Sequence, residues 1–161
     1  MIKKIEDKLT DSQYIILAVI LSILSGVLIQ VLVYTIFSNI KFNLGINSLL
    51  SESIGFKIIF MCIVGPIIES GLIIFIIFIL KSIHIKNKVY LLIITTIIFS
   101  LTHSYSLLYI IIILPSCFIL IYSYLFYKSK KLSNFKIMLY IHILNNTLGV
   151  CFNYLLYQIF I

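Results

Sequence analysis

Apolar residues in this chain come in long, nearly unbroken runs, not in the alternation of a half-buried strand or the single stripe of a soluble helix. A bilayer's hydrocarbon core, about 30 Å thick, needs about 20 apolar residues to be crossed as a helix. Five runs approach or pass that length: 14–37, 58–80, 89–103, 107–127 and 137–161. They predict an all-α polytopic membrane protein of about five transmembrane helices, forming a single domain over 1–161. The first run is too long for the apolar part of a signal peptide and no small-x-small cleavage site follows it, so it is expected to be a retained span. The third is the shortest. The turn from His103 to Ser106 is therefore expected to sink below the lipid surface, where irregular backbone survives only against protein or a wet cavity.

The segments between the runs are polar. Residues 1–13 are charged, and 38–57 form a connection with Gly45, Asn47 and Glu52, of which 49–56 suits the membrane interface. Residues 81–88 and 128–136 are basic loops. Within the first run, Ser22, Gly26 and Gln30 recur every fourth residue, a spacing that predicts close helix packing.

Composition sharpens this picture. The chain is 62% hydrophobic and 11% charged, with mean hydropathy +1.21. A soluble domain carries about a quarter charged residues, so that class is excluded. The net charge of +7 comes entirely from Lys, without one Arg. Lys3, Lys4, Lys8, Lys81, Lys86, Lys88, Lys128, Lys130, Lys131 and Lys136 fall on one side of a five-span topology, and only Lys41 and Lys57 on the other. The positive-inside rule then puts the N-terminus in the cytoplasm and the C-terminus outside. No basic face with interleaved aromatics points to nucleic acid. Heavy use of Ile, Lys and Asn points to an AT-rich genome, and the small size to a bacterial plasma membrane. Cys62, Cys117 and Cys151 lie in apolar runs without metal spacing, and are expected as small buried side chains. Tyr122, Tyr124 and Tyr127 are expected to anchor an interface, and His84 to be solvated in its basic loop.

Four polar residues break the runs at membrane depth: Glu69, His103, His142 and Asn146. Such groups are costly in hydrocarbon and face a bundle interior or a wet cavity. Glu69 has no charge partner among Ile67, Ile68, Leu72 and Ile73, so one must come from another helix, His103 or His142. Pro66 orphans a carbonyl of the preceding turn and bends the helix beside the carboxylate. Gly65 and Gly71 permit close backbone approach. His142 and Asn146, four apart, share a face that Gly149 and Asn153 continue. Alone, each feature fits core packing or the proton path of a transporter.

Order and spacing say more. Pro66-x-x-Glu69, Phe99-x-x-x-His103 and His142-x-x-x-Asn146 stand in three different predicted spans. Over roughly 65–149 this resembles the CPBP family of intramembrane proteases, which includes the CAAX prenyl endopeptidases and bacterial Abi-type, bacteriocin-associated membrane proteins. The chain departs from that pattern at Ser70, where the family usually has a second glutamate, and at Ile74, where it usually has an arginine. The resemblance implies an intramembrane peptidase whose Glu69, assisted by His103, activates water while His142 and Asn146 face the substrate carbonyl oxygen. No Ser or Cys has a base at motif spacing, so a covalent nucleophile is not expected. No cofactor is expected; zinc is the disfavoured alternative, and its ligands would be Glu69, His103 and His142. The implied partner is a hydrophobic or membrane-inserted peptide: a prenylated tail, a pheromone precursor or a bacteriocin leader. Two other readings stay open, a peptide-binding immunity or regulatory protein that does not cut, favoured by Ser70 and Ile74, and a small proton-coupled transporter subunit.

Overall fold

The computed structural model describes residues 6–36 and 53–160, with side chains of the last helix as far as Phe152. Within these residues every regular element is helical. The first helix, α1 (Asp11–Ile36), opens with a capping box. Thr10 Oγ1 accepts from the Gln13 amide at 3.3 Å, and Gln13 Oε1 accepts from the Thr10 amide at 2.9 Å, so two orphan donors of the first turn are satisfied reciprocally.

The second span is one rod with two windings. A turn at Ile54–Phe56 leads into a π-helical stretch, Lys57–Val64, and then into α2, Gly65–Ser82. Gly65 donates to the Phe60 carbonyl, five residues back. In that wider register the next donor would be residue 66, which is proline and has no N–H. The carbonyl thus orphaned is that of Met61. At its far end α2 closes in a Schellman motif: Ile85 N donates to Leu80 O and His84 N to Lys81 O, both at 3.0 Å. His84 takes the left-handed position, φ 69°. It is thus part of a helix stop and not merely a solvated loop residue.

Helix α3 (Lys88–Leu101) is capped by the Asn87 side chain, which accepts from Val89 N at 2.8 Å. Helix α4 (Leu107–Leu125) is capped by Ser106, which accepts from Tyr109 N at 3.1 Å. Helix α5 (Asn134–Phe160) follows Ser133, whose Oγ accepts from Lys136 N at 3.3 Å. Among the described residues four rods are long and apolar enough to cross a membrane: Asp11–Ile36, Lys57–Ser82, Leu107–Leu125 and Asn134–Phe152. The chain is an integral, polytopic helical membrane protein associated with a lipid bilayer.

Several expected boundaries move. The second span starts at Ile54, inside the expected connection, because Ser53 caps it through Phe56 N at 3.3 Å. The third ends at Leu101 and leaves His103 in the turn, because Thr102 and His103 fold back onto carbonyls of Phe99 and Ser100. At 14 residues α3 is about 21 Å long, and the 19 residues of α4 about 28 Å. Lys88 Nζ donates to Leu125 O at 2.8 Å, tying the start of α3 to the end of α4. The fourth span stops at Leu125, and the fifth begins three residues earlier than expected, at Asn134. Lys3, Lys4, Lys41 and the connection carrying Gly45, Asn47 and Glu52 lie outside the described residues, as does the Asn153 side chain.

Helix α4 lies against α3, α1 and α5, and α5 also touches the π-helical stretch, α1 and α2. Burial gathers toward one end. On α1 it involves Tyr14, Ile15, Ala18, Val19 and Ser22 but none of the helix beyond, whose Leu24, Leu28 and Leu32 are exposed as lipid-facing residues would be. At that packed end Asp11, 6% exposed, accepts four hydrogen bonds: Tyr127 OH (3.0 Å), Lys130 N (2.8 Å), Lys131 N (2.7 Å) and Leu132 N (2.9 Å). One carboxylate thus holds the start of α1 to the α4–α5 connection. Tyr127 is therefore a core residue and not an interface anchor. Its ring stacks on Tyr14 with centroids 3.6 Å apart, and burial, then the Asp11 contact, pushes its hydroxyl up to about 12, so it remains a donor. Cys62 and Cys117 are buried as expected, whereas Cys151 is exposed on α5.

Candidate active site

The winding change in the second span sets the first site residue. Glu69 comes one turn after the π-to-α junction at Gly65, and its carboxylate turns toward two imidazoles from other elements. Oε2 lies 3.1 Å from His142 Nε2 on α5 and 3.7 Å from His103 Nε2 in the α3–α4 turn. About a third of the Glu69 side chain is accessible, but Oε2 itself is shut off and no hydrogen bond of regular geometry reaches it.

The two imidazoles are fixed from behind. Phe99, fully buried, meets both edge-on, with ring centroids 5.1 Å from His103 and 6.2 Å from His142. His103 Nδ1 lies 3.2 Å from the Phe99 carbonyl. A carbonyl only accepts, so Nδ1 carries the hydrogen and a neutral His103 presents the Nε2 lone pair to Glu69. At 3.7 Å a proton passes between Oε2 and Nε2 once a water bridges the gap or the two groups draw together. The Phe-x-x-x-His spacing thus supplies a packing ring and a backbone acceptor for the same imidazole. On the other side, Ser70 Oγ lies 3.3 Å from His142 Nδ1, both groups buried. Ile74, at the position where the resembled family usually has an arginine, packs partly buried against the apolar core.

Asn146 shares the cavity but is not idle in it. Its Nδ2 donates to the Met61 carbonyl at 2.8 Å, the acceptor that Pro66 leaves free. One of its two N–H bonds is thus committed to backbone, which narrows the expectation that it serves only as a donor to substrate; the second remains for a ligand. Beside it, Asn145 Nδ2 donates to Ser22 Oγ at 3.0 Å, and Ser22 Oγ donates to Ser116 Oγ at 2.7 Å. Ser22 was expected to serve packing alone; it also joins α1 to α5 and α4. At Gly26, one turn on, a β-carbon would sit in ordinary contact 3.7 Å from the Ile112 carbonyl, so α1 lies near α4 there without requiring a glycine.

The two imidazoles and the two asparagines line a cavity of about 280 Å³ between α3, α4, α5 and the π-helical stretch, with Glu69 next to the imidazoles. His103, His142, Asn145, Asn146, Ser116 and Tyr109 form its polar part, and Gly149 extends it along α5. A water takes about 30 Å³ in the liquid, so the space holds several. Glu69, His103 and His142 are the donors available to a metal ion, yet among the described residues no group of three His, Cys, Asp or Glu is gathered as an ion requires. Sequence alone misses Ser70 as the partner of His142, the Met61 carbonyl, Asn145 and Ser116. Pro66 carries the only advance signal, since it announces an orphaned acceptor without saying who fills it.

No curated protein and no solved structure matches the chain. A family model does, described as type II CAAX prenyl endopeptidase Rce1-like, over residues 51–148. The match covers about three-fifths of the chain and contains Glu69, His103, His142 and Asn146. With more than half its length matched, this chain belongs to the Rce1-like family of type II CAAX prenyl endopeptidases.

Proposed function

We propose that the chain is an intramembrane endopeptidase that hydrolyses a hydrophobic, membrane-associated peptide with water activated by Glu69 and His103. The observation that carries this reading is Glu69 Oε2, facing His142 Nε2 at 3.1 Å and His103 Nε2 at 3.7 Å, beside a cavity able to hold water. Glu69 takes a proton from water as the oxygen attacks the substrate carbonyl carbon. The oxyanion is met by the free Asn146 N–H and by His142 when protonated. The C–N bond then breaks, and the proton held between Glu69 and His103 passes to the departing amine. Low dielectric around the site strengthens each contact. Residues 1–161 act as one transmembrane domain, N-terminus in and C-terminus out, in a bacterial plasma membrane.

A second reading, a peptide-binding immunity or regulatory protein without turnover, draws on Ser70 and Ile74. Around Glu69 there is no Arg, and the carboxylate relies on imidazoles alone. Reconstituted protein offered apolar precursor peptides decides between them. Wild type is expected to release two fragments, and Glu69→Ala and His103→Ala none. Peptide retention without cleavage by wild type supports the second reading, while pH-dependent flux without cleavage supports a transporter. Chelators are expected to leave cleavage intact; loss on chelation with recovery on added zinc would shift the mechanism to a metal held by Glu69, His103 and His142.

A further inference from the structure

Beyond the imidazoles, the cavity wall holds a residue with a buried polar atom left unmatched. Asn145 Oδ1 is buried and accepts no hydrogen bond among the described residues. The other end of the same amide is held, Nδ2 donating to Ser22 Oγ at 3.0 Å. Ser22 in turn is fixed by its bond to Ser116 Oγ at 2.7 Å, and Ser116 also lines the cavity. Three helices thus hold a buried, unmatched acceptor in the wall of a space whose other walls include Ile113, Leu120 and Val150.

An unmatched amide oxygen is expensive where water is scarce, and a Leu of similar size would remove the expense. We propose that Asn145 is a substrate-binding residue: its Oδ1 accepts a hydrogen bond from a backbone N–H of an apolar peptide lying extended in the cavity. Ser22 and Ser116 are positioning residues that keep the amide from rotating. The chemistry fits a peptide opened for cutting. A helix entering from lipid must break its own N–H···O=C bonds around the scissile bond, and each freed N–H then needs an acceptor. Asn145 precedes Asn146 on α5, so it offers an acceptor next to the residue whose amide donates. This assignment rests on the peptidase reading for its substrate class, and its test separates the two.

The probe is a set of 12-residue Ala/Leu/Ile peptides with lysine ends and one Trp, each carrying a single backbone N-methyl group at a different position. The protein has no Trp, so Trp anisotropy in detergent reports the peptide alone. Binding is measured to full-length Glu69→Gln protein with Asn145 intact, and with Asn145→Leu or Asn145→Ala added, each checked for cooperative melting. Methylation at one position is expected to weaken binding about 5- to 30-fold with Asn145 present, and that penalty is expected to vanish in both Asn145 variants. The proposal is overturned if no position is penalised, or if the penalty is the same without Asn145. Cleavage of the same peptides by otherwise unaltered protein is read in parallel. Asn145-dependent binding without cleavage keeps the subsite and removes the peptidase reading; cleavage with no Asn145-dependent penalty does the reverse.

Discussion

Pro66 and Asn146 are 80 residues apart in sequence, yet the structure makes them complementary. The proline removes a donor, the π-helical register hands the loss to the Met61 carbonyl, and Asn146 Nδ2 makes it good at 2.8 Å. Replacing Asn146 by Leu leaves that half-buried carbonyl without a partner. In soluble proteins such an orphan costs about 1–3 kcal/mol, and interhelical bonds within membranes are worth about 0.6–1.7 kcal/mol. A loss of about 1–2 kcal/mol follows, a factor of about 5 to 30 in the unfolding equilibrium. Pro66→Ala restores an N–H at position 66, which lets the backbone satisfy Met61 itself. In that background Asn146→Leu is expected to cost about 0.5 kcal/mol or less. The assay is a double-mutant cycle on reversible unfolding in detergent micelles, with peptide cleavage read on all four proteins. Stability is expected to be rescued in the double variant while cleavage stays lost, because the substrate-facing N–H is gone in both. Strictly additive stability losses would refute the pairing.

Asp11→Ala leaves Lys130 N, Lys131 N, Leu132 N and Tyr127 OH without their shared acceptor; at about 1–3 kcal/mol for each donor that stays buried and unmatched, a loss of about 3 kcal/mol or more is expected in the same unfolding assay, with lower expression. His84→Gly relieves a left-handed non-glycine residue at φ 69° and is expected to stabilise by about 1 kcal/mol without altering cleavage. Gly65→Ala would put a β-carbon 2.8 Å from the Phe60 carbonyl; the π turn must then shift. Roughly 1–3 kcal/mol of stability is expected to go, and cleavage to fall more than stability predicts, because Glu69 rides on the next turn.

Five helices, four of them long enough to span, were legible because hydrocarbon admits only helices whose backbone is satisfied within the segment, so run length alone nearly suffices. Ends were less legible where caps decide them. Ser53 starts the second span early, and the Thr102–His103 fold-back stops the third before its histidine. The meeting of Glu69, His103 and His142 was foreseeable from the cost of leaving each alone in lipid. The roles around them were not. Ser70 looks like a loss when set against a family pattern, yet its hydroxyl faces His142. Tyr127 has the composition of an interface anchor, but a lone Asp at the start of α1 draws it into the core. Which partner satisfies a polar group depends on three-dimensional proximity, to which a linear pattern is blind.

The short third helix has a consequence for the lipid around it. Its outward face, with Val89, Ile93, Ile97 and Leu101 exposed, offers only about 21 Å of greasy height to a hydrocarbon slab of about 30 Å. Acyl chains along that flank must compress or splay, which draws headgroups and water down toward His103 on this side alone. The protein thereby thins its own membrane on that flank, and on the proposed peptidase reading a peptide sliding in there meets hydration before it meets the carboxylate.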